Sequence, residues 1–160
     1  MPLSPEALET WIAAVDEGYV GAPDWARWVE RAVHAADHAP SWLMDLQRAS
    51  ARREAVALLR AGLAASSAEP PDVLVTISIR LGFVWLRHER EDLDLAEALE
   101  RAIRIVDAAA GDSQAFHVLL AETDGGGPAT PEPLSLNARA SALFAPHTAL
   151  ARACLHHLGC

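Results

Sequence analysis

The chain has 160 residues, of which 51% are hydrophobic and 22% charged, and it carries a formal net charge of -9. That length suits one folded domain with a sizeable core. The composition excludes a disordered or collagen-like chain, and no apolar run approaches the roughly 20 residues that cross a bilayer.

Ser4 before Pro5 reads as an N-cap with proline at the first helical position. Leu8, Trp11, Ile12 and Val15 then recur on one face, and residues 18–23 close this helix. Asp24 is expected to cap a second, whose Trp25, Trp28, Val29, Ala32 and Ala36 run until Pro40. Ser41 opens a short helix with Trp42, Leu43 and Leu46, and Ser50 caps a fourth through Ala55, Leu58, Leu59 and Leu63. Residues 66–71 are a break by composition.

Residues 72–90 admit two periods. Val73, Val75, Ile77 and Ile79 alternate as in a strand, while Leu74, Ile77, Leu81, Val84, Trp85 and His88 fit a helix. The stretch is too long for an ordinary strand and has no second strand to pair with, so a helix is expected. It should be central and buried on most sides, with Thr76, Arg80 and Arg87 as its polar strip. Asp94 with Glu97 forms an acidic capping box for Leu95, Leu99, Ala102, Ile103 and Val106, and Gly111 ends that helix. A shorter helix over about 113–122 carries Phe116, Leu119 and Leu120. Residues 124–133 are rich in Gly and Pro and read as a linker. Ser135 caps a further helix through Leu136, Ala140 and Leu143, Pro146 interrupts it, and Leu150, Cys154 and Leu158 continue to Gly159.

The expected fold class is therefore all-α, a compact bundle of about seven to eight helices. Residues 1–122 form the helical core, 123–134 a flexible Gly/Pro linker, and 135–160 a C-terminal helical segment. The stripe Leu136, Leu143, Phe144, Leu150 and Leu158 is too apolar to stay in water, so this segment docks on the core or on a partner subunit. The second alternative would give a homodimer through residues 135–160.

All 13 basic residues are Arg, none is Lys, and Ala occupies 33 positions, a bias that a GC-rich bacterial coding sequence produces. Residues 1–6 lack the basic and apolar regions of a secretory leader, which points to a cytoplasmic protein. The acids fall in blocks: five with no base in residues 1–24, and eleven against three Arg in residues 89–132. Such a surface repels nucleic acid, whose binding depends on neutralised phosphates, and suits a basic protein partner. Cys154 and Cys160 fit neither a CxxC pair nor a zinc knuckle, and they exclude a disulfide framework.

His34 and His38, at i and i+4, share a helix face in the way helical metal sites present paired imidazoles. Position 35 is Ala, so the general base of an HExxH protease is missing, and Arg27 and Arg31 on the same side suit a solvated polar face. A third ligand would have to come from His88, His156 or His157. Glu89, Glu91, Asp92 and Asp94 lack the alternation and central Gly of an EF-hand. Together with Glu97 and Glu100 they are the expected partner-binding surface, while Glu97–Arg101 and Glu100–Arg104 have the spacing of stabilising i, i+4 pairs. Ser113 and Ser141 lie in no GxSxG elbow, and residues 125–127 lack the Lys and Ser/Thr of a phosphate loop. Arg80, on a mostly apolar helix, needs an ion pair or an anionic ligand. The leading expectation is a non-catalytic interaction module without a cofactor, comparable in size and acidity with bacterial immunity proteins, antitoxins and small adaptors. The alternative is a helical metal- or small-ligand-binding bundle, with or without catalysis.

Overall fold

The computed structural model describes residues 3–36, 38–66, 72–123, 125 and 135–159. Among them are eight α-helices and no strand: α1 Pro5–Asp16, α2 Ala22–Ala35, α3 Ser41–Arg48, α4 Arg52–Ala65, α5 Val73–Glu89, α6 Leu95–Ala108, α7 Gln114–Thr123 and α8 Leu136–Leu158. The all-helical expectation holds because length and capping outweigh the short strand-like alternation at 73–79.

The helices pack as two compact units, the first comprising residues 1–72 with 153–160 and the second residues 73–152. Each unit gathers its own aromatic cluster, and α8 supplies side chains to both. Apart from Thr123 and Gly125, the proposed linker lies outside the described residues.

In the first unit α1 packs on α4, α4 on α3 and α3 on α2. Ser4 caps α1 by accepting from the Ala7 N–H, with Pro5 in the first turn. Trp11 is fully buried against Trp28, their ring centroids 4.9 Å apart, and donates its indole N–H to the His157 carbonyl at 3.2 Å. Trp25 donates to the Ala49 carbonyl, so both indoles bury their polar atom with a partner. At Gly62 a Cβ would stand 2.6 Å from the Trp42 ring, which is how α3 and α4 come close.

In the second unit α6 packs on α5 and α7. The core holds Leu81, Val84, Trp85, Leu99, Ile103, Phe116, Ala140 and Phe144. Phe144 of α8 is 0% exposed, stacks on Trp85 at 4.8 Å and tilts against Phe116 at 5.2 Å. Gly82 lets α5 and α8 approach, since a Cβ there would overlap the His147 carbonyl oxygen and press on Ala151. Arg139 grips Glu122 through two hydrogen bonds of 2.6 and 2.8 Å, fixing α8 to α7.

Local structure departs from the sequence reading in several places. The α2 helix ends at Ala35, with Ala36 already extended, so His38 lies beyond it and does not share a helix face with His34. The α2 helix starts ahead of Asp24: Gly21 is its N-cap, and the Asp24 carboxylate accepts from the Gly21 N–H at 2.8 Å. The α4 cap is Ala51 rather than Ser50. The α5 helix is buried from Ile79 to Leu86, while Val73, Leu74 and Val75 in its first turn are exposed. Pro146 does not interrupt α8. It leaves the Ala142 carbonyl without its helical donor, but both residues are exposed, where solvent can replace the lost bond, and the buried Phe144, Thr148 and Ala151 hold the helix together. Of the apolar stripe on α8, Phe144 and Leu158 are buried within this chain, while Leu136, Leu143 and Leu150 are half-buried.

Candidate interaction surface

The α5 helix ends in a left-handed turn. Glu91 has φ 63°, the Asp92 N–H reaches back to the Arg87 carbonyl at 3.0 Å, and the Glu91 N–H bonds the His88 carbonyl. This is the bond that closes a helix when the residue past its end adopts αL. Leu93 buries its side chain to anchor the turn, and Asp94 then starts α6 with a reciprocal box, its carboxylate accepting from the Glu97 N–H and Glu97 accepting from the Asp94 N–H.

The six acids singled out in the sequence therefore fall into two groups. Glu89 is paired with Arg152 at 2.5 Å, and Asp94 and Glu97 are spent on the cap, so Glu97 turns away from the Arg101 pairing that its spacing suggested. Glu91, Asp92 and Glu100 are exposed, and their carboxylates make no hydrogen bond or ion pair with the described residues. Arg87 and Arg90 belong to the same stretch, so its negative character rests on those three side chains rather than on an unbroken acidic run.

His34 and His38 are both exposed, and Asp37 between them lies outside the described residues. The His34 Nδ1 donates to the Glu30 carbonyl at 2.8 Å, and Glu30, Arg31, His34 and Ala35 line a shallow open depression on α2. Arg31 donates to the Leu158 carbonyl. Among the described residues no three His, Cys, Asp or Glu side chains stand close enough to share a metal ion. Arg80 is half-buried and partnered within the protein. Ser113 is buried and donates to the Asp107 carboxylate at 2.5 Å. Burial pushes the Cys154 thiol up, away from the thiolate that a reactive cysteine needs. Cys160 lies outside the described residues.

No known protein family, curated protein or solved structure matches this chain. The functional reading therefore rests on its own side chains.

One pair was invisible in the sequence: Ser78 of α5 and His147 of α8, 69 positions apart, meet at 2.7 Å between the hydroxyl and Nδ1. A hydroxyl on an imidazole is the first part of a nucleophilic site. Ser78 sits inside α5, however, where the backbone N–H groups beside it are spent in the helix ladder and none is left to hold an oxyanion. The pair ties two helices together.

Burial pushes the His147 imidazole below the usual histidine range of about 6.5 and does the same to His157, where the neighbouring His156 adds to it. Both favour the neutral ring in the folded state, whereas the unfolded chain binds the proton more readily. Stability is thus fully present above about 6.5 and is lost as pH falls from there through the lowered folded-state value. Melting temperatures taken from pH 7.5 down to pH 5.5 should decline, and His147→Gln should flatten part of the slope. A flat profile in the parent protein would contradict the assignment.

Proposed function

We propose that the chain is a non-catalytic interaction module that recognises a basic patch on a partner protein through its acidic turn, with Glu91, Asp92 and Glu100 as the contacting side chains. The observation that carries this reading is Glu91 itself. A residue with a side chain at φ 63° costs roughly 1–2 kcal/mol that glycine would avoid, and here that conformation holds an exposed carboxylate on a turn whose ends are pinned by Leu93 and the α6 cap. The neighbouring carboxylates that do structural work leave these three for a partner. Electrostatic complementarity of this kind raises the association rate and weakens with salt.

Ala110 supplies the control. It ends α6 at φ 54°, and the Gly111 N–H returns to the Val106 carbonyl in the same pattern, but its side chain has no chemistry to offer. Both Glu91→Gly and Ala110→Gly should raise the unfolding free energy by roughly 0.5–1 kcal/mol, the relief of αL strain less the extra entropy of the unfolded glycine. Only Glu91→Gly should weaken binding of an arginine- and lysine-rich peptide. If both variants bind as the parent does, the acidic turn is not the recognition surface.

A further inference from the structure

The acidic turn is held by a histidine whose two ring nitrogens both face oxygen atoms. His88 packs on Trp85 with ring centroids 4.7 Å apart, and its Nδ1 lies 3.0 Å from the Leu93 carbonyl and its Nε2 3.0 Å from the Asn137 side-chain oxygen. A carbonyl oxygen only accepts, so Nδ1 carries a hydrogen in either charge state. The imidazolium also donates from Nε2, and the Asn137 oxygen receives it. The neutral ring presents a lone pair at Nε2, which the amide meets with its NH2 after about a half-turn, because the two ends of an asparagine side chain are nearly equal in shape.

We propose that His88 and Asn137 form a proton-tolerant clamp that lets the acidic turn lose one unit of negative charge on acidification while keeping its shape, so that pH regulates its affinity for a cationic partner. The charged groups on the elements that meet there are Arg87 and Glu89 of α5, Arg90, Glu91 and Asp92 of the turn, Asp94 at the start of α6, and Arg139 and Arg152 of α8. Arg139 and Arg152 are engaged with Glu122 and Glu89 respectively. One added positive charge roughly 8 Å from a cationic group in water weakens its binding about two- to threefold. The affinity consequence rests on the function proposed above, whereas the clamp does not.

An NMR pH titration of the full chain from about pH 8 to pH 5 tests the clamp. The Asn137 side-chain NH2 resonances should move with the same midpoint as the His88 ring, the backbone amides of Glu91, Asp92 and Leu93 should stay dispersed throughout, and His88→Gln should abolish the Asn137 response. Asn137 resonances indifferent to His88 protonation, or turn amides that collapse towards random-coil positions on acidification, would overturn it. Affinity for an oligo-lysine peptide at pH 7.5 and pH 5.5, at constant ionic strength, tests the regulation. The parent should weaken about two- to threefold more than His88→Gln, and equal slopes would overturn this part. Failure of the peptide to bind at either pH would refute the proposed function and with it the pH regulation, while the Asn137 response would still decide the clamp.

Discussion

Phe144→Ala will lower the unfolding free energy by roughly 3–5 kcal/mol, the cost of emptying a well-packed aromatic site. Phe144 is fully buried between Trp85 and Phe116 and is the large α8 side chain in the core of the second unit. Its loss removes the stacked contact as well as the buried area. Denaturant unfolding followed by tryptophan fluorescence gives the value directly, and a shift of less than about 1 kcal/mol would mean that α8 does not close this core. Phe144→Leu keeps most of the volume and should lose markedly less.

The second large effect is at Gly82. Replacing it with Val puts a branched side chain where even a Cβ would overlap the His147 carbonyl and touch the Ala151 methyl at 2.5 Å. Backbone cannot rotate away as a flexible side chain can, so α5 and α8 must separate, carrying the Ser78–His147 bond with them. The expected cost is about 3 kcal/mol, at the upper end for overpacking. In an exposed helix the same replacement would instead gain a few tenths of a kcal/mol from propensity. A neutral result in urea unfolding would show that the two helices do not cross at Gly82.

The sequence carries the helices well and the packing poorly. Ser4–Pro5 and the Asp94–Glu97 box are local signals, contained within a few residues, and they appear where the spacing places them. The boundaries that shifted did so because a nearby group served as well: Asp24 acts from the third helical position on the Gly21 N–H instead of capping from outside. Pro146 was misleading because its cost depends on whether the freed carbonyl is buried, and exposure is a tertiary property. The division into two units, the crossing at Gly82 and the Ser78–His147 contact join residues far apart in the chain, and one sequence contains no pattern that pairs them.

The acidic surface was half legible. Composition identified 89–132 as acid-rich, but the roles of the individual carboxylates depend on geometry: Glu89 on Arg152, Asp94 and Glu97 in the cap, Glu91 in a left-handed turn. That sorting matters for experiment, because neutralising Asp94 would remove a helix cap worth about 1 kcal/mol and confuse lost stability with lost recognition.

The account stands most directly on where a cationic partner settles. Backbone amide spectra of the full chain, titrated with an arginine- and lysine-rich peptide at about 0.15 M salt, should show saturating shifts concentrated at residues 88–100, and these should vanish in the double variant Glu91→Lys, Asp92→Lys while the rest of the spectrum is retained. Shifts spread evenly over the acids of both helical units, or none at all, would contradict it.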